Sequence, residues 1–360
     1  MTAAVLTEWS ALSPFGLGAA AFSAGVSRGV PAVTALGDGW DGPDGHAGLI
    51  PDFDPRVLLG RKGTRSMDRV TGIAVVAIDL LFQRLGGKAT EYGAETGLVL
   101  GTGSGSVRSI MEFTREALTG DKPYHVDPAL FPNTVLNRAA GQSAIWHGLK
   151  GPNTTIAGGA LTGLLAVNYA LRLHRGGHCA AVLCGAVEEY STERAWLERT
   201  HGNGKRRLGE GGAVFLIESA ELARASGRVP LASVPALAFA AFPDVLGARA
   251  ALRGCVEKVL RRAGIGRAEV ALVLPSEAEG AMAEVEELAI GDVVGAAPPR
   301  LGCKALIGDT SAAAAAFQLA AAVAIARGGD FALLTALDRD GTAGAAIIHK
   351  GHTGEGGPSR

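Results

Sequence analysis

The sequence predicts an α/β protein in which helices cover both faces of a sheet. Short apolar runs with the composition of strands alternate with helical stretches, and these runs lack the polar–apolar alternation of half-exposed strands. The 360 residues include 64 Ala and 52 Gly; 48% are hydrophobic and only 19% are charged. Such a chain can bury a large core, and its small side chains allow neighbouring backbones to approach closely.

The predicted elements follow one another in this alternating order. We predict strands at residues 96–100, 154–157, 179–184, 213–218, 270–274, 331–336 and 345–349. We predict helices at residues 67–84, 107–118, 161–175, 248–263, 281–290 and 310–327. The last helix contains the longest nearly apolar run, residues 311–326, which is 16 residues long. That length favours a buried helix over a membrane span.

Charge and cysteine usage argue against several classes of protein. The formal net charge is −1 and there is no basic run, so we expect no nucleic-acid partner. Cys179, Cys184, Cys255 and Cys303 form no CxxC pair, so we expect neither a metal site nor a disulfide scaffold. The N-terminus has no signal-peptide pattern, so we expect a cytoplasmic protein that does not associate with a membrane.

The two halves of the chain repeat one pattern. Gly-Gly-Ala at 158–160 precedes a helix, and Arg-Gly-Gly at 175–177 ends it before a strand. Gly-Asp-Thr at 308–310 and Arg-Gly-Gly at 327–329 repeat that order, with each glycine pair able to cap its helix at positive φ.

A charged stretch at residues 220–229 separates the two halves. We therefore expect an N-terminal half at 1–225, a similar C-terminal half at 226–350, and a disordered tail at 351–360.

The most informative segment is Gly-Pro-Asn-Thr-Thr-Ile-Ala-Gly-Gly-Ala-Leu-Thr-Gly-Leu at 151–164. A strand that ends in two glycines and passes directly into a helix is typical of a nucleophile elbow, where the helix dipole favours an anion. This segment resembles the β-ketoacyl synthases, whose pattern is roughly G-P-x-x-T-x-x-T-A-C-x-S-G-L with the Cys as the acyl-carrying nucleophile. The family's Cys falls at Ala160 in this sequence.

Further segments match the same family in the family's order. They are Pro-Phe-Gly at 14–16, Met-Asp-Arg at 67–69, Gly-Thr-Gly-Ser-Gly at 101–105, Phe-Pro-Asn at 131–133, Asn-Arg-Ala-Ala-Gly at 137–141 and Gly-Glu-Gly-Gly-Ala at 209–213. The resemblance implies the thiolase-like fold, with two similar halves in a layered αβαβα arrangement.

The residues that carry the family's chemistry are missing together. A condensing enzyme needs a thiolate for the acyl chain and two His donors. The family's two His fall at Ser276 and Asp309, so the resemblance implies degenerate catalytic positions at Ala160, Ser276 and Asp309. Lys304 is retained, either in a structural ion pair or in a residual site role. The family's terminal G-F-G-G-x-N segment reads Asp-Arg-Asp-Gly-Thr-Ala at 338–343.

Three functions stay open at this point. The family includes inactive subunits, called chain-length factors, that pair with an active ketosynthase and shape the tunnel for a growing polyketide chain on an acyl carrier protein. The second possibility is a divergent acyltransferase or condensing enzyme with a hydroxyl nucleophile such as Thr162. The third is a free-standing module that binds an acyl group or its carrier protein. We favour the first, which needs no cofactor.

By family analogy, the residues that set chain length lie on the helix after residues 101–105. Val107, Ile110, Met111 and Thr114 share one face of it, as either a tunnel lining or an ordinary core-facing stripe. Their small-to-medium size would leave a deep cavity, compatible with a polyene chain. The interface with the ketosynthase would include Phe131, Pro132, Asn133 and Thr155.

Overall fold

The computed structural model describes residues 3–37, 40–86, 95–201 and 207–352. Most of the predicted tail at 351–360 lies outside these ranges. Within them, every helix is too short or too polar to cross a bilayer.

One mixed sheet joins strands from both ends of the chain. In spatial order it runs β10-β11-β12-β9-β1-β8-β7-β5-β6, and β2 pairs with β1. The strands are β1 (Ala4–Ser13), β2 (Gly16–Leu17), β5 (Gly97–Gly101), β6 (Asn153–Ile156), β7 (Ala181–Glu188), β8 (Gly211–Ser219), β9 (Ala232–Ala241), β10 (Val270–Leu274), β11 (Phe331–Asp338) and β12 (Thr342–Lys350). A separate ribbon pairs β3 (Thr34–Ala35) with β4 (His46–Ala47).

The strand order repeats about the contact between β1 and β9. Moving outward from β1, the pairs β1–β8 and β8–β7 are antiparallel and β7–β5 is parallel. Moving outward from β9, the pairs β9–β12 and β12–β11 are antiparallel and β11–β10 is parallel. The final parallel pair, β5–β6, has its counterpart in the short bridge from Val273 to Arg300. The two halves are therefore built on one plan.

The helices form three layers around this sheet. They are α1 (Gly18–Arg28), α2 (Pro55–Leu59), α3 (Arg69–Arg84), α4 (Val107–Thr119), α5 (Arg138–His147), α6 (Thr162–Arg175), α7 (Thr192–Thr200), α8 (Ala220–Ala225), α9 (Val245–Ala263), α10 (Ala281–Val294), α11 (Lys304–Ile307) and α12 (Ala314–Ile325). One core lies between α3 and β5–β8, one lies between α9, α10 and β9–β12, and α1, α6 and α12 fill the third core between the two sheet halves. This is the αβαβα arrangement.

Alternate residues of each central strand enter different cores, which explains the continuous apolar runs. In β8, Phe215 faces the middle layer and Leu216 faces α3; in β11, Leu334 faces the middle layer and Leu333 faces α9. Both faces of these strands are covered by helices, so neither face carries the polar side chains of an exposed sheet.

The structure corrects several predicted boundaries. The strand predicted at 179–184 begins at Ala181 and continues to Glu188, and the helix predicted at 310–327 is α12, preceded by a 3-10 turn at Ser311–Ala313.

The two predicted glycine caps differ in the structure. In the first half the glycine pair follows α6, with Gly177 at φ 70°. In the second half α12 ends at Ile325, and Arg327 and Asp330 close a turn by hydrogen bonds in both directions. The second glycine pair is therefore not the helix cap that the repeat predicts.

Candidate functional site

The predicted elbow is present at the carboxyl end of β6. Gly159 has a φ of +54°, and the 3-10 turn Gly159–Leu161 leads directly into α6. The parallel strands β5, β6 and β7 end at this same edge, so the turn after β5 and the end of β7 flank the elbow. A side chain at Gly101 would overlap the methyl group of Thr162, so the β5 turn can pack against the elbow only with glycine there.

The backbone amide of Ala160 has a charged partner. It donates a hydrogen bond of 2.5 Å to Oδ2 of Asp338, the last residue of β11. The carboxylate is buried, and its Oδ1 accepts a second bond of 2.8 Å from the amide of Asp340. A carboxylate thus lies against the turn that the resemblance aligns with the family's nucleophile.

Thr162, the hydroxyl considered as an alternative nucleophile, is held within the elbow. Its Oγ1 donates to the carbonyl of Gly159 at 2.7 Å and accepts from the amide of Gly158 at 2.9 Å. The side chain is fully buried. These bonds stabilise the turn and direct the hydroxyl towards the backbone, which argues against a role in acyl transfer.

Ser276 belongs to a buried hydrogen-bond network centred on Glu286. Its amide and hydroxyl donate to Oε1 of Glu286 at 2.8 and 2.7 Å, and the hydroxyl of Thr335 donates to the same oxygen at 2.7 Å. The Ser276 hydroxyl also accepts from the amide of Leu337 at 3.2 Å. The network ties β10, α10 and β11 together, which is a structural role.

Asp309 is buried and paired with the retained lysine. Nζ of Lys304 lies 3.5 Å from Oδ2 of Asp309, and Oδ1 accepts from the amide of Ser311 at 2.8 Å. The guanidinium of Arg194 donates to the carbonyl of Asp309 and to the hydroxyl of Ser311, at 3.3 and 2.8 Å. These bonds hold the turn before α12 in place.

The structure brings together Ala160, Ser276 and Asp309, the three positions predicted to be degenerate. The elbow turn Gly159–Leu161 contacts both the 3-10 turn Ser311–Ala313 and strand β11. Ser276 is bonded to Leu337, the residue before Asp338, and Asp338 is bonded to Ala160. The end of β11 therefore links Ser276 to Ala160, and the elbow turn contacts the 3-10 turn that follows Asp309.

Two buried carboxylates nearby were not among the predicted site residues. Burial raises the pKa of Glu188 to about 7, and burial together with the charge of Asp68 raises that of Glu189 to about 8. Glu188 accepts from the amide of Gly103 at 2.9 Å, and Glu189 accepts from the hydroxyl of Ser106 at 3.0 Å. The signal in the sequence is a Glu–Glu pair at the end of an apolar strand. These bonds fix the β5 turn and the start of α4.

A cleft of about 2010 Å³ opens beside α4. Val107, Ile110 and Met111 line it, whereas Thr114, which is exposed, does not. Only Val107 and Ser109 of α4 are buried, so the predicted stripe is not an ordinary core-facing one in this chain.

The residues predicted for an interface differ in their surroundings. The side chain of Phe131 is 55% exposed, and its ring centroid lies 6.0 Å from that of Phe113. Pro132 is half-buried. Asn133 is buried and bonded within the chain, donating to the Ser66 carbonyl at 3.1 Å. Thr155 lies on β6, the strand at the edge of the sheet.

The thiols and the buried imidazole serve packing. All four cysteines are buried, and burial raises the pKa of Cys184 to about 12 and that of Cys255 to about 11. His147 lies on α5, where burial lowers its pKa and a ring nitrogen contacts the Val75 carbonyl at 3.1 Å. Within the described ranges, no group of His, Cys, Asp and Glu is arranged to hold a metal ion.

Comparison with known proteins agrees with this architecture. The model of the β-ketoacyl synthase N-terminal domain matches residues 41–204. The chain is 29% identical over 202 residues to 3-oxoacyl-[acyl-carrier-protein] synthase 2 of Vibrio harveyi. That match covers 50% of this chain and 48% of the relative, so it spans about half the relative's length.

Two solved structures are similar over nearly the whole chain. The ishigamide ketosynthase/chain length factor is 39% identical and superposes with a TM-score of 0.89 over 97% of this chain and 99% of that one. A type II polyketide synthase acyl-carrier protein in complex with its ketosynthase bound to the hexaketide has a chain of the same fold, with a TM-score of 0.80 at 18% identity over 97% of this chain and 99% of that one. This chain belongs to the β-ketoacyl synthase family, in its ketosynthase/chain length factor group, and has the thiolase-like fold.

Proposed function

We propose that the chain is a chain-length factor: a non-catalytic subunit that pairs with an active ketosynthase and shapes the tunnel for a polyketide on an acyl carrier protein. The 3-oxoacyl-[acyl-carrier-protein] synthase activity then belongs to the pair, and the condensing thiol belongs to the partner. The similarity to the ishigamide ketosynthase/chain length factor over almost the full length supports this assignment.

The main observation behind the proposal is the set of contacts made by the residues at the three degenerate positions. Ala160 has no nucleophilic atom, Ser276 is bonded to Glu286, and Asp309 is paired with Lys304. A divergent enzyme would need a nucleophile with a base beside it. Thr162 is the hydroxyl closest to Ala160 in the sequence, and both of its hydrogen bonds are to the elbow backbone.

The cleft beside α4 supports a role in measuring chain length. Val107, Ile110 and Met111 form part of its wall, and the exposed Met111 side chain is flexible enough to adapt to a bound chain. In the pair, we assign this wall to the tunnel that accommodates the growing chain.

The proposed contact with the ketosynthase runs along β6 and the neighbouring apolar surface. Strand β6 lies at the sheet edge, where Thr155 is positioned for a partner strand. Large apolar side chains are exposed on α4, on the 3-10 turn Phe131–Thr134, just before α5 and on α5 itself: Leu118, Phe131, Val135, Leu136 and Ile145. Exposed apolar surface of this kind marks an interaction site.

Co-expression with a ketosynthase that retains its Cys and both His tests the proposal. We expect a one-to-one complex by size-exclusion chromatography and polyketide synthesis only when both chains are present. Replacing the ketosynthase Cys should abolish synthesis. Acylation of this chain alone, found by mass spectrometry, would instead support the divergent enzyme. A monodisperse monomer that does not bind the ketosynthase would support the free-standing module.

A further inference from the structure

We propose that the carboxylate of Asp338 occupies the anion position at the elbow amide, so that this chain holds its own anion beside the position where a ketosynthase carries its thiolate. The position of the carboxylate follows from contacts within this chain. Its biological role in the complex with a ketosynthase rests on the proposed function. Under that function, Asp338 keeps acyl groups off this subunit and leaves the growing chain to the partner.

The carboxylate is held on both sides. Oδ2 accepts from the amide of Ala160 at 2.5 Å, and Oδ1 accepts from the amide of Asp340 at 2.8 Å. The Asp340 amide belongs to the turn between β11 and β12, where Gly341 has a φ of +91°. Because both bonds come from backbone groups, the carboxylate is oriented by the fold itself.

The elbow is shaped to admit this side chain. A Cβ built on Gly159 would overlap Oδ2 of Asp338, and Gly159 also has a positive φ. Asp338 is only 9% exposed, so water screens its charge little. The start of α6 supplies the partial positive charge that stabilises an anion at this position.

A thiol restored at position 160 would meet this charge. A cysteine sulfur is three bonds from its own amide nitrogen, so it would lie within about 7 Å of the Asp338 carboxylate. Two like charges at that separation in a buried site disfavour each other, and the thiol pKa rises. Other titratable groups near the elbow include Glu188 at the end of β7, Glu286 bonded to Ser276, Asp309 with Lys304, and Arg339 with Asp340 in the hairpin.

The experiment measures the reactivity of that thiol in the full-length chain. Ala160→Cys is prepared alone and with Asp338→Asn or Asp338→Ala, and the alkylation rate with iodoacetamide is followed as a function of pH. We expect both double variants to react at least about tenfold faster near neutral pH, because the thiolate fraction increases. Ala160→Cys with Asp340→Asn is the matched control, since it removes a charge from the same hairpin and leaves the Asp338 carboxylate in place. That control should react like Ala160→Cys alone.

Equal rates with and without the Asp338 carboxylate, in variants that retain their circular dichroism spectrum, would overturn the proposal. The Ala160→Cys variant can still reject the proposal if the double variants do not fold. The pKa of its introduced thiol should lie above the ordinary thiol value, although a helix N-terminus alone would lower it. A pKa at or below the ordinary value would reject the proposal. Neither result depends on whether a ketosynthase binds, so the proposed function is tested separately.

Discussion

The ammonium group of Lys304 lies 3.5 Å from the carboxylate of Asp309, and both side chains are largely buried. Lys304 therefore pairs with Asp309, the residue that the resemblance aligns with the family's second His. This contact favours the structural ion pair over a residual site role for Lys304.

Replacing Lys304 should reveal the strength of this pair. Lys304→Met leaves the Asp309 carboxylate buried beside an apolar chain, so we expect the free energy of unfolding to fall by about 3 kcal/mol. Adding Asp309→Asn should recover part of that loss, because the buried charge is then removed. The exposed Lys150 serves as the control, and Lys150→Met should change stability by less than about 0.5 kcal/mol. Urea denaturation measures all three; full additivity of the two site substitutions would contradict a direct pair.

The contact between α6 and α12 should depend on Gly163. A Cβ built on Gly163 would lie 2.5 Å from the backbone nitrogen of Ala316, so Gly163→Ala forces the two helices apart. We expect a loss of about 1–3 kcal/mol in the free energy of unfolding. Gly254→Ala in α9 is the matched control, since no atom lies within 4 Å of its added Cβ. There the lower chain entropy of alanine in the unfolded state should stabilise the protein by about 0.4–1 kcal/mol. An equal effect of the two substitutions would rule out the close approach.

We expect the stability of the fold to decrease once the pH rises above about 4.5, where Glu188 and Glu189 ionise in the unfolded chain. Their pKa values are raised from 4.5 to about 7 and about 8, mainly by burial, so the folded state binds more protons than the unfolded state between these limits. The linkage relation then makes the free energy of unfolding fall from about pH 4.5 to about pH 8. Glu189→Gln removes one ionisation while its amide can still serve the amide of Val70 and the hydroxyl of Ser106.

We therefore expect Glu189→Gln to flatten this pH dependence and to raise stability at pH 8, as measured by thermal denaturation across the pH series. Glu284→Gln, on the exposed face of α10, should leave the profile unchanged. An unaltered slope in Glu189→Gln would mean that the carboxylate is already ionised at low pH in the folded state.

Chain length should respond to the wall of the cleft. Ile110→Phe fills part of the cleft, so we expect the co-expressed pair to release a shorter product. Thr114 lies one turn further along α4 and outside the cleft lining, so Thr114→Phe is the matched control. Mass spectrometry of the released products measures both. Equal product lengths from Ile110→Phe and the unmodified pair would remove Ile110 from the tunnel.

The sequence predicted the inner strands well and missed two that form the centre of the sheet. Apolar runs revealed β5, β7, β8, β10, β11 and β12 because helices cover both of their faces. Strand β1 carries Thr7 and Glu8, whose partners Glu218 and Arg84 are distant in the sequence. Strand β9 alternates in burial and contains Pro235, which weakens a strand signal. Interactions between residues so far apart in the sequence cannot be predicted from the local pattern of apolar and polar residues.

The candidate site, too, was predicted only in part. The glycines and the family motif at 151–164 predicted the elbow and the position of Ala160 in it. The partner of Ala160 was not, because Asp338 lies 178 residues away and meets the elbow only through the position of β11. The sequence displayed the altered segment at 338–343, but only the fold shows where its carboxylate goes.

The repeated strand plan places this site on the seam between two copies of one structural unit. A reactive centre assembled in that way requires a contribution from each copy, and neither contribution has any use alone. Without a thiol at position 160, imidazoles at positions 276 and 309 would have no acyl group to act on. Those positions are then free to serve folding, and Ser276 and Asp309 now do so through Glu286 and Lys304. Residues 160, 276 and 309 are far apart in the sequence, and this seam brings them together.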